Sequence, residues 1–93
     1  MTTPAALEDL DWPEDAVATI IGLALAQPTV TADDLARELR PAPHGNMVGP
    51  AFRAAANEGH IIHTGNYTQS QRPGRKHSVV AIWIGVDPME RTP

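Results

Sequence analysis

Ninety-three residues give room for one domain and one modest core. The chain has no cysteine, which excludes disulfides and thiolate metal sites and fits a reducing compartment. It has no apolar run near the roughly 18 residues that span a bilayer, and no basic start leading into a signal-like stretch. The expectation is a cytoplasmic protein with no membrane partner. A net charge of −4 argues against a polyanion until the charges are placed along the chain.

Residues 1–34 hold seven acids (Glu8, Asp9, Asp11, Glu14, Asp15, Asp33, Asp34) and no base. Residues 35–86 hold six bases (Arg37, Arg40, Arg53, Arg72, Arg75, Lys76) against Glu38 and Glu58. Such asymmetry is expected where one face meets a polyanion and another does not. Trp12, Trp83, Phe52 and Tyr67 are the only aromatics of Phe, Trp and Tyr type. The core must therefore come mostly from Ala, Val, Ile and Leu, which suits small helices packed on a short sheet.

Residues 1–10 are small, polar and acidic and read as a flexible tail. Asp11-Trp12-Pro13-Glu14-Asp15 is a helix start, because Pro suits the first turn and the acids favour the positive end of the helix dipole. Val17, Ile20, Ile21, Ala24 and Leu25 mark an apolar face, so the first helix runs to about Gln27, where Pro28 stops it. Trp12 beside this helix reads as core. Thr29-Val30-Thr31 is a strand stub. Thr31 is then an N-cap, with Asp34 completing a variant capping box and Val30 and Leu35 forming a hydrophobic staple. The second helix spans about Ala32 to Arg40 and ends before Pro41 and Pro43. Arg37 and Arg40, late in it, complement its C-terminal dipole first and offer phosphate contacts second.

A third helix follows, starting either with Asn46 as cap or with Gly49 as cap and Pro50 as first residue. Gly59 is its stop. Val48, Phe52, Ala55 and Ala56 form its apolar stripe. Asn46, Gly49, Pro50, Arg53 and Asn57 share the other face, which carries no large apolar residue. Two β-prone runs, at Ile61, Ile62 and Tyr67 and at Val79–Val86, flank the polar segment Gln69–His77 with its Pro-Gly turn. That is a hairpin with a long basic tip. Within the second run Val80, Ile82 and Ile84 alternate with Val79, Ala81 and Trp83. Residues 87–93 read as a polar tail, leaving one domain over residues 11–86.

The order helix, strand stub, helix, turn, helix, hairpin resembles the α+β winged helix-turn-helix domain over most of the chain. One junction carries the likeness most closely: Ala-Ala-Asn-Glu-Gly-His-Ile-Ile (55–62) runs from third helix through a Gly stop into the first strand of the wing. The stretches Gly-Asn-Met-Val-Gly-Pro-Ala-Phe-Arg-Ala-Ala (45–55) and Arg-Pro-Gly-Arg-Lys (72–76) resemble small helix-turn-helix proteins encoded by actinobacteria and their phages. The resemblance implies a small regulator of transcription, of bacteriophage type, that binds double-stranded DNA. Its third helix would read the major groove and its wing would touch backbone or minor groove. The chain differs from that pattern in having one base, Arg53, on the third helix and in its net acidity.

Asn46, Arg53 and Asn57 are the candidate base readers, since Asn and Arg have the shapes for bidentate contacts to adenine and guanine edges. For Asn46, helix capping is an equal explanation. Gln71, Arg72, Arg75 and Lys76 around the Pro-Gly turn are the candidate backbone and minor-groove contacts, with Gln69 and Ser70 as further hydrogen-bonding groups. A homodimer on a two-fold site is one expected assembly. The alternative is a winged helix that binds a protein instead, through the acidic N-terminal half. His60 and His63 lie three apart in a strand-like run and His44 and His77 lie in loops, so no metal is expected. With no phosphate-cradling glycine loop and no paired carboxylates, no cofactor and no enzyme activity are expected.

Overall fold

The structure is a computed structural model that describes residues 10–70 and 78–86. It is α+β: three helices and a two-stranded antiparallel hairpin. Helix α1 spans Trp12–Ala26, with Pro13 in the first turn beside Glu14 and Asp15. Asp11 gives no side-chain cap; the helix instead closes through its backbone, Asp15 N–H donating to the Asp11 carbonyl at 2.9 Å. At the other end Gln27 turns extended, and the chain leaves toward Val30.

Helix α2 spans Ala32–Glu38, and the capping box at its start is complete. The Thr31 hydroxyl accepts from Asp34 N–H at 3.3 Å, and Thr31 N–H donates back to the Asp34 carboxylate at 2.9 Å. Val30 and Leu35, the staple pair, are both buried in the core cluster. The helix is shorter than the expected Ala32 to Arg40. Leu39 is already extended (φ −132°, ψ 150°); Pro41 disfavours helical backbone at Arg40, and the chain leaves the helix one residue before that.

The third helix begins in neither of the two expected ways. A 3-10 turn over Gly45–Met47 feeds directly into α3, Val48–Asn57, and Met47 precedes it in right-handed backbone with no side-chain cap. Asn46 therefore caps nothing and Gly49 is helical. Pro50 is the third helical residue, where the missing N–H has no partner to lose. At the far end Gly59 has φ +85°. Its N–H reaches the Ala56 carbonyl at 2.9 Å and His60 N–H the Ala55 carbonyl at 3.0 Å, a double closure that only a left-handed residue permits.

Strands β1 (Ile61–Gln69) and β2 (Val79–Gly85) follow. The ladder pairs His63 with Trp83 and then Tyr67 with Ala81, so Thr64, Gly65 and Asn66 together oppose Ile82. Gly65 takes φ +86° in this bulge. The Thr64 hydroxyl donates to the Ile82 carbonyl at 2.8 Å and accepts from Asn66 N–H at 3.0 Å, replacing ladder bonds that the bulge removes. Val30 adds the strand stub: it exchanges N–H···O bonds of 2.8 and 2.9 Å with Trp83 on the other side of β2.

The core lies between α1, α3 and the hairpin. Trp12, Ala16 and Ile20 come from α1, Val30 and Leu35 from the stub and α2, and Ala51, Phe52 and Ala55 from α3. Alanines at 16, 51 and 55 let the two longer helices approach closely. Phe52 stacks on Trp83 with ring centroids 5.5 Å apart, which seats the sheet on α3. Trp12 is 2% exposed and its indole N–H donates to the Arg40 carbonyl at 2.9 Å, so the expected core role holds. Among the described residues no helix is long and apolar enough to cross a membrane.

Candidate nucleic-acid interface

Three elements meet at one open groove: the start of α2 (Ala32), α3 (Gly49 and Arg53 at the surface, Phe52 at the floor) and β2 (Val80, Ala81, Trp83). At about 270 Å³ it lies below the usual size of a small-molecule pocket and is shallow enough to belong to a contact surface. Arg53 stands at its lip. The guanidinium runs back over Gly49, where an added Cβ would sit 3.6 Å from its nitrogen. The glycine leaves the helix backbone open to close approach, and the arginine reaches across that opening.

The arginines divide by what they touch. Arg37 on α2 contacts the Asp34 carboxylate of its own capping box. Arg40, just past the helix, pairs with Asp15 of α1 at 2.8 Å. Arg37 lies in the last turn of α2, as expected, whereas Arg40 lies past the helix end and ties that segment to α1. Among the described residues, Arg53 is the arginine with no ion pair.

Asn57 is exposed one turn from Arg53 on α3. Asn46 is exposed too but opens elsewhere, beside Pro13, Val17, Pro50 and Ala54 in a second groove between α1 and α3. The single polar face expected over Asn46, Gly49, Pro50, Arg53 and Asn57 is thus two faces. Arg53 and Gly49 turn toward the hairpin, while Asn46 and Pro50 turn toward α1. Gly49 and Pro50 are neighbours within α3, so they point about 100° apart around the helix, one toward the hairpin and the other toward α1.

Gln71, Arg72, Arg75 and Lys76 lie outside the described residues. The two residues that bracket them are joined, Ser70 N–H donating to the Ser78 carbonyl at 2.8 Å. Gln69 and Ser70, expected at the hairpin tip, belong to its stem: Gln69 ends β1, and Ser70 is 1% exposed. The Ser70 hydroxyl donates at 2.8 Å to the Asp33 carboxylate, itself 5% exposed in the first turn of α2. This contact spans 37 residues of sequence and fixes the base of the hairpin to α2. Sequence reasoning passed over Asp33 as one more surface acid. A capping box that already used Asp34 was the available hint that its neighbour faces the other way.

Asp33→Ala and Ser70→Ala should each lower stability by about 1–3 kcal/mol, the usual cost of leaving a buried polar partner unmatched. The double variant should cost clearly less than the two losses together, since both remove one bond. Denaturant unfolding of the three variants measures this, and strictly additive losses would mean that the two side chains act apart.

The histidines do not converge. His60 precedes β1 and contacts Glu58 at 3.4 Å, whereas His63 lies on β1 against Trp83 and Tyr67. Among the described residues no group of three or more His, Cys, Asp or Glu side chains is placed to hold a metal ion. Comparison with protein-family models, with curated proteins and with solved structures finds no match to this chain.

Proposed function

We propose that the chain is a winged helix-turn-helix domain that binds double-stranded DNA as a small regulator. In this reading α3 lies in the major groove with Arg53 and Asn57 toward base edges. The hairpin is the wing, and its basic residues Arg72, Arg75 and Lys76, with Gln71, contact backbone or minor groove. The observation that carries the reading is the state of Arg53: an arginine free of ion pairs, above a glycine-opened stretch of helix, in a groove where α2, α3 and β2 converge. Element order supports it, as does the segregation of acids into the first third of the chain. Asn46 has a smaller part than its sequence position suggests, because it opens toward α1.

The test is a titration of labelled duplex DNA at low and moderate salt. Affinity should fall steeply with salt, and Arg75→Ala should flatten the log–log slope by about one unit. Arg53→Ala should weaken a preferred site by about 1–3 kcal/mol, and random duplex by less. Absence of binding even at low salt overturns the reading. It would promote a protein-binding role for the acidic half, where Leu10 and Leu25 stand 83% and 72% exposed at the two ends of α1.

A further inference from the structure

We propose that His63 and Tyr67, in the stem of the hairpin, are phosphate contacts: neutral hydrogen-bond donors that grip the DNA backbone. The proposal rests on the duplex-binding reading and extends it to two residues outside the basic tip.

His63 is exposed, yet its ring is held. Gly65 N–H donates to Nδ1 at 2.7 Å, an interaction that exists because the bulge turns Gly65 to positive φ. The imidazole also meets the Trp83 ring edge-on at 4.9 Å and the Tyr67 ring at 5.5 Å. Trp83 in turn stacks on Phe52 of α3, the neighbour of Arg53. A side chain ordered at an interface ordinarily loses rotamer freedom, which weakens binding. An imidazole already fixed from two sides loses little of that.

The hydrogen bond also decides which nitrogen can donate. With Nδ1 accepting, a neutral ring carries its proton on Nε2, so Nε2 is a donor. The Tyr67 hydroxyl makes no hydrogen bond among the described residues, and the side chain is 60% exposed. The ring centroids of His63 and Tyr67 are 5.5 Å apart, close enough for both donors to converge on one phosphate. Neutral donors from side chains are a regular part of DNA backbone contacts, and they set register without reading sequence.

The experiment compares wild type, His63→Phe, Tyr67→Phe and Arg53→Ala on labelled duplex at pH 8 over a range of salt. Tyr67→Phe removes one oxygen, and His63→Phe keeps a ring against Trp83; a melting curve checks that each variant folds. Each Phe variant should lose about three- to tenfold in affinity, the range of one hydrogen bond. The loss should be equal on preferred and random duplex, and the salt slope should stay unchanged because no counterion is displaced. Wild-type affinity in both Phe variants overturns this proposal and leaves the DNA reading standing. A flattened slope also overturns it, since it would mean that the residues act by charge. A wild type that binds no duplex overturns both. As a second readout, the ring ¹⁵N signals of His63 should shift when duplex is added to wild type; signals that stay in place while DNA binds elsewhere overturn the proposal.

Discussion

Trp12→Ala should lower the unfolding free energy by about 3–5 kcal/mol, the usual cost of removing a buried aromatic. A domain of this length has roughly 5–14 kcal/mol to lose, so the variant should give up at least about a fifth of the native stability. The indole does two things at once. Its rings close the core where α1 begins, and its N–H satisfies the Arg40 carbonyl just after α2 unwinds. The Asp15–Arg40 ion pair bridges the same two segments, but its side chains are 47% and 43% exposed, which leaves it worth little beside the tryptophan. Trp12→Phe separates the two contributions, keeping most of the volume and losing the hydrogen bond; it should cost about 1–3 kcal/mol. Urea unfolding followed through Trp83 fluorescence measures both. A loss under about 1 kcal/mol for Trp12→Ala would mean that the end of α1 is not part of the cooperative unit.

The second large effect is at Gly85, where β2 touches α1. An added Cβ would stand 2.7 Å from the Ala24 carbonyl oxygen and 3.1 Å from the Ala24 Cβ. The obstacle is helix backbone, which has no rotamer to change. Gly85→Ala must therefore push the strand from the helix, and Gly85 pairs with the fully buried Ile61, so the displacement enters the core. The expected cost is about 1–3 kcal/mol, more for Gly85→Val. Gly22→Ala is the control: nothing lies within 4 Å of its added Cβ, and the residue is exposed inside α1. There the same change should stabilise by about 0.5–1 kcal/mol through helix propensity. Thermal melts of the two variants should move in opposite directions. A Gly85→Ala that melts with wild type would show that β2 is not seated on α1.

Much of the fold was legible in the sequence because its punctuation is local. Thr31 with Asp34, Gly59 after α3 and the Pro residues after α2 act through bonds to their own neighbours, so position alone reveals them. The errors lie where distant segments decide. Spacing groups Asn46 with Arg53 on one polar face, but the two flanks of that face are claimed by different neighbours, α1 and the hairpin, which only tertiary packing decides. In the sequence Ser70 reads as a group of the hairpin tip and Asp33 as one acid among seven, because the partner that makes the burial of each tolerable is 37 residues away. His63 was weighed as a metal ligand and set aside, while its contacts with Trp83, Tyr67 and Gly65 depend on a bulge. A glycine inside a β-prone run was the one sign of that bulge.

The bulge has a further consequence, for how copies of the chain meet one another. Val30 covers one side of β2, so β1 is the open edge of the sheet among the described residues. An open edge is a template on which another chain can add a strand and start a fibre. Here the row of donors is interrupted at mid-strand. Gly65 N–H is turned onto His63 and Asn66 N–H onto Thr64, so a foreign strand laid along β1 would find both donors occupied. Ile62, Tyr67 and Val79 are each more than half exposed on the same hairpin, a combination that favours aggregation when the edge beside it is straight. Three residues facing one across the ladder keep that adhesive surface from becoming a polymerisation site.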